Sequence, residues 1–126
     1  MQVVMNYGRE GLTLNLPDDW DVTVIRKPPM PLAPDPARAV EEAFANPIAC
    51  RRLVEEAAGK KSACVLICDI TRPVPNGIIL PPIMRQLLAA GVPKDGITIM
   101  VATGLHRPNE GQELREVVGD DWVMDN

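Results

Sequence analysis

Ala63-Cys64-Val65-Leu66-Ile67-Cys68-Asp69-Ile70-Thr71-Arg72-Pro73-Val74-Pro75 is the stretch on which the fold turns. Its first six residues are an unbroken apolar run, the pattern of a strand covered on both faces. The run breaks into a polar, proline-stiffened loop, Asp69 to Gly77. A helix follows, carrying Ile83, Met84, Leu87 and Leu88 and ending at Gly91. The same sequence of events then recurs. Ile97 to Ala102 reads as a second buried strand, and Thr103-Gly104-Leu105-His106-Arg107-Pro108 as its loop. Asn109, with Gln112 three residues on, reads as a capping box for a helix running through Leu114, Val117 and Val118 to Gly119. Strand, polar loop and helix in alternation predict an α/β fold, a Rossmann-like parallel sheet flanked by helices. Ligands of such sheets bind outside the carboxyl ends of the strands, so the two polar loops should meet at one crevice.

Upstream the pattern differs. Val3 to Tyr7 and Gly11 to Leu16 predict a hairpin turning at Gly8-Arg9-Glu10, with Leu12, Leu14 and Leu16 alternating against polar residues. Val22, Val24 and Ile25 suggest a third short strand. Lys27 to Pro36 holds five prolines in ten residues and should be extended linker. Asp35 then suits an N-cap and Pro36 the first helical position, with Ala37, Val40 and Phe44 forming a stripe. Asn46-Pro47 repeats the start signal ahead of Cys50, Leu53, Val54 and Ala57, and Gly59 stops it.

The composition excludes several classes of function. Four aromatic residues (Tyr7, Trp20, Phe44 and Trp122) and a net charge of −4 give neither the stacking platform nor the basic face that nucleic acid needs. The longest uncharged stretch, Val74 to Met84, is too short to span a bilayer, and Met1 to Tyr7 has no signal-peptide pattern. No nucleic acid and no membrane are therefore expected as partners, and a cytoplasmic location is the default. Cys50, Cys64 and Cys68 are odd in number and form no zinc motif, so free, buried thiols are expected.

The chemistry concentrates in the two loops. Pro73 fixes its own φ and restricts Arg72 before it, and Pro75 follows, so the backbone that presents the guanidinium is stiffened, which suits bidentate capture of a carboxylate or phosphate. Gly104 lets the second loop turn tightly and present His106, a group able to give or take a proton near neutral pH. An anion clamp beside an acid–base group describes a site for a small carboxylic acid. A module that only binds anions or nucleotides, using Arg72 and Arg107, is the alternative that these residues leave open.

Asp69-x-Thr-Arg-Pro-Val-Pro, followed about thirty residues later by Ala-Thr-Gly-x-His-Arg-Pro, resembles the N-terminal signature of the nickel-dependent lactate racemases. Asn46-Pro47-Ile48 is also similar, and the likeness runs from about Pro34 to Trp122. The resemblance implies that Arg72 holds the substrate carboxylate and that His106 is one of two histidines exchanging the hydroxyl proton. Asp69 would orient Arg72 or His106, and Thr71 and Arg107 would lie at the substrate. It further implies a nickel-pincer nucleotide, with hydride abstraction and return at C2 of a 2-hydroxy acid. The chain carries no second histidine, and the family's cofactor-bearing lysine and nickel-ligating histidine lie in a region beyond Asn126. Residues 1–126 are thus expected to be the N-terminal part of a racemase-like protein, inactive and without cofactor when alone. Its expected partners are a small 2-hydroxy acid, the missing remainder of the chain and, through exposed surfaces, a second copy.

Overall fold

The prolines between Lys27 and Pro36 divide the chain. In the computed structural model, which describes residues 1–126, one unit is Met1–Pro31 and the other Leu32–Asn126. In the first, β1 (Gln2–Met5) pairs antiparallel with β2 (Leu12–Asn15), placing Gln2 opposite Asn15 and Met5 opposite Leu12. The hairpin closes at the expected glycine turn, where the Gly11 amide donates to the Tyr7 carbonyl at 2.9 Å. The expected third strand does not form: residues 22–25 pair with neither neighbour. Ile25 is 92% exposed, so this segment has no buried face to fix a register.

The second unit is α/β. Helix α1 (Pro36–Ala45) begins as the sequence predicts, with the Asp35 carboxylate accepting from the Arg38 amide at 3.0 Å. The start expected at Asn46-Pro47 is displaced, because α2 (Leu53–Glu56) begins six residues later than Pro47. Asn46 sits at φ −124°, ψ 62°, a non-helical geometry that a following proline favours and that an N-cap can share, so the break lies beyond Pro47. Two residues beyond Pro47, Ala49 adopts φ +55°, a left-handed conformation that strains any residue with a Cβ. Ala49→Gly is therefore expected to stabilise the chain by about 0.5–1 kcal/mol. Urea unfolding would check this, and an unchanged or lower midpoint would show that the turn carries no such strain.

Strands β3 (Ala63–Cys68) and β4 (Ile97–Ala102) run parallel, in register from Ala63 opposite Ile97 to Cys68 opposite Ala102. Helix α3 (Asn76–Ala89) makes the crossover, and α4 (Gln112–Val118) and α5 (Asp121–Asp125) follow β4. Ile67 packs with Leu80 and Met84 of α3, Val117 and Val118 of α4, and Val123 of α5; Val65, Ile99 and Val101 complete that side. Leu80 and Met84 are 1% and 2% exposed. A second cluster joins Ala57, Leu87 and Val92 to the same face through Ala63 and Val65.

The opposite face corrects two expectations. Alternation along β3 sends Cys64, Leu66 and Cys68 away from the helices, and Leu66 is 67% exposed. Met100 on β4 is 52% exposed. The strands are thus covered on one face and not on both, and the three free thiols are exposed rather than buried.

Two contacts lock the start of α3, and with it the loop before it. Asn76 is buried and its amide nitrogen donates to the Val117 carbonyl at 2.8 Å. Gly77 meets the turn after α4 so closely that a Cβ on it would lie 2.4 Å from the Gly119 carbonyl oxygen. Only glycine fits there.

Candidate active site

Because Cys68 and Ala102 are register partners, the loops after β3 and β4 leave the sheet side by side at its carboxyl end. The first is a succession of tight turns: Arg72 N–H donates to the Asp69 carbonyl at 3.1 Å, Val74 N–H to Arg72 at 2.8 Å, and Asn76 N–H to Val74 at 2.9 Å. Pro73 and Pro75 supply the alternate positions, where no N–H is required. In the second, His106 N–H donates to the Thr103 carbonyl at 2.9 Å, and Gly104 takes φ +58° between them.

Asp69 joins the loops. It is 5% exposed, and its carboxylate is fully engaged. One oxygen accepts from the Thr71 hydroxyl at 2.6 Å and the Thr71 amide at 3.2 Å. The other oxygen meets Nδ1 of His106. The Thr71 hydroxyl foremost, and then His106, hold the Asp69 carboxyl down at about 2 from an ordinary 3.8. A lowered value means stability present at pH above the unfolded value and lost as pH falls through about 2. A carbon-13 titration of the carboxyl group should show that low midpoint, and Thr71→Val should move it back toward 3.8. A wild-type midpoint at 3.8 would dismiss the hydrogen-bond account.

An ionised Asp69 can only accept, so Nδ1 of His106 donates to it, and in the neutral ring Nε2 is then the nitrogen without a proton. The His106 side chain is about half exposed (53%). Arg72 is exposed as well, and with Asp69, Asn76 and Glu116 it lines a cavity of about 210 Å³. A larger cavity, about 710 Å³, lies between α1, α2 and Ile79 of α3. Its walls are mainly apolar, Val40, Phe44, Leu53 and Ile79 among them, and the guanidinium at its edge, Arg51, is already engaged by Glu56 at 3.2 Å and the Glu55 carbonyl at 2.8 Å.

The other two expected residues have protein partners. The Thr71 hydroxyl belongs to Asp69. Arg107 turns to α4, where its fork meets both Glu113 oxygens at 2.6 Å, and that carboxylate raises the guanidinium's pKa. The pair is largely exposed and contributes little to stability, but it occupies the guanidinium.

Sequence reasoning misread one residue and passed over another. Asn109 caps no helix; α4 starts at Gln112 with Gly111 as its N-cap. Buried at 8% exposure, Asn109 instead accepts from the Ile70 amide at 3.2 Å and donates to Glu113 at 3.2 Å. Glu113 carried no signal of its own beyond its position one turn past Asn109.

Residues 7–125 match the family model described as the lactate racemase N-terminal domain. The chain belongs to the lactate racemase family. It is 43% identical over 84 residues to a lactate racemase of Lactiplantibacillus plantarum, covering 67% of this chain and 20% of that protein. It is 32% identical over 119 residues to a lactate racemase of Thermoanaerobacterium thermosaccharolyticum, covering 93% of this chain and 28% of that protein. The chain thus spans between a fifth and a little over a quarter of the length of these curated lactate racemases. No helix is long and apolar enough to cross a membrane.

Proposed function

We propose that this chain supplies one half of the active site of a racemase or epimerase of small 2-hydroxy acids. The observation that carries the reading is the buried Asp69 carboxylate bonded to Nδ1 of His106, which presents Nε2 as a base beside the Arg72 loop. A 2-hydroxy acid offers this site a carboxylate for Arg72 and a hydroxyl proton for Nε2. As the proton is taken, the imidazolium formed faces an ionised Asp69, which stabilises it and keeps the ring in place. When the reaction reverses, the same nitrogen returns the proton to the oxygen.

Inversion at C2 also requires a hydride to leave and return, the chemistry that a nickel-pincer nucleotide supplies in this family. The residues present do not fit as its holder. Asp69 and His106 are tied to each other, and no cluster of three or more His, Cys, Asp or Glu side chains is placed to hold a metal ion. The group is therefore assigned to the part of the protein outside residues 1–126, together with the second proton-exchanging histidine. On this reading the 126 residues alone are inactive.

The test is made on the full-length protein, produced with the cofactor-building enzymes. Near-stoichiometric nickel, an added covalent mass and interconversion of lactate enantiomers are the expected result. A metal-free, unmodified protein, under conditions that load a known lactate racemase, would overturn the proposal in favour of an anion-binding module.

A further inference from the structure

Five residues of the two loops and Glu113 of α4 close a ring. Asp69 is bonded covalently to Ile70, whose amide meets Asn109; Asn109 meets Glu113, Glu113 grips Arg107, and Arg107 is bonded covalently to His106, which returns to Asp69. Beside the Asp69–His106 bond, Asn109 makes a second link between the loops, to a residue 39 positions away in sequence. Its carboxamide is used in both senses. The oxygen accepts from the Ile70 N–H, which can only donate, and the nitrogen donates to the Glu113 carboxylate, which can only accept. Those two partners fix which end of the amide faces which loop. Asn109 is 8% exposed and both bonds are partly buried, so losing the amide deprives the Ile70 N–H of an ordered partner that water replaces only at a cost.

We infer that Asn109 is a positioning residue that pins the Asp69–Ile70 peptide to the His106 loop and so sets the tautomer of His106. The inference rests on the proposed acid–base role of His106 and deepens it. Pinning that peptide fixes where the Asp69 side chain departs from the backbone, and therefore where its carboxylate meets the imidazole. With the pin removed, the Asp69 loop can withdraw, and the ring loses the acceptor that keeps its proton on Nδ1. Glu113 and Arg107 act behind Asn109: they hold its amide in the orientation that the Ile70 bond requires.

His106 is the one histidine of this chain, so its nitrogen-15 spectrum reads the tautomer without ambiguity. With the ring neutral, the wild-type chain is expected to show the Nδ1–H form. Asn109→Ala should give a mixture of both tautomers and speed exchange of the Ile70 amide roughly ten-fold. Asn109→Asp alone would set a second carboxylate against Glu113, so the matched variant is Asn109→Asp with Glu113→Gln: it keeps an oxygen for Ile70, restores a donor–acceptor pair at 113, and should retain both the tautomer and the protection. A folded Asn109→Ala chain with wild-type tautomer and exchange would overturn the inference. Should that variant not fold, a folded Asn109→Asp/Glu113→Gln chain that loses the Nδ1–H form would overturn it instead. Neither spectrum needs substrate, so an error in the proposed reaction would surface separately, as absent enantiomer interconversion in a wild-type protein with the Nδ1–H tautomer intact.

Discussion

His106→Ala in the full-length protein is expected to slow interconversion of 2-hydroxy acid enantiomers by roughly 10²–10⁴-fold, the usual contribution of a placed acid–base group. The size follows from the surroundings of the imidazole. Its Nδ1 is committed to a buried, ionised carboxylate, and its Nε2 carries no proton in the neutral ring. Alanine leaves the hydroxyl proton to water and leaves Asp69 with Thr71 as its remaining donor. The loss should fall mainly on kcat, because substrate is anchored elsewhere. Single-turnover kinetics with each enantiomer would measure it, and undiminished turnover would remove His106 from the reaction.

Arg72→Ala should act on the other parameter. A charge-assisted, bidentate contact is worth about 1.5–3 kcal/mol, so kcat/KM should fall by roughly 10- to 150-fold, with KM carrying much of the change. The stiffness of the loop sharpens this expectation. Arg72 is held at both its amide and its carbonyl, and the next fixed points are Pro73, Pro75 and the buried Asn76. Truncating the side chain should therefore leave the backbone, and the fold, as they are. Arg72→Lys should recover part of the loss, since a point charge replaces a fork. Kinetics of the alanine variant equal to wild type would place the carboxylate elsewhere.

Much of this arrangement is legible in the sequence, and for identifiable reasons. Two apolar runs, each followed by a polar loop and a helix, specify parallel strands with the loops at one end. The register of Cys68 with Ala102 then brings Asp69 and His106 within bonding reach. Asp35-Pro36 starts a helix because side-chain and backbone preferences agree at that point. Where they conflict, the reading failed. Asn46-Pro47 carries the same start signal, yet the chain turns through a left-handed Ala49 before α2 begins. The unbroken run Ala63–Cys68 reports that every residue is apolar, and cannot report that helices reach only one face. Asn109 misled for a different reason. An asparagine three residues ahead of a glutamine suits a cap and a long-range bond equally, and only the fold supplies the Ile70 amide that decides between them.

The uncovered face of the sheet has a practical consequence. Cys64 and Cys68 stand on it four residues apart with exposed sulfurs, flanking Leu66. They are built-in reporters of coverage. The rate at which a small alkylating agent caps these two thiols, compared with exposed Cys50 as an internal reference, is a footprint of that surface. Thiols that react as fast as Cys50 describe a bare sheet, and slowed ones a shielded sheet, so one mass spectrum reports whether the strands beneath the two polar loops are covered on that face.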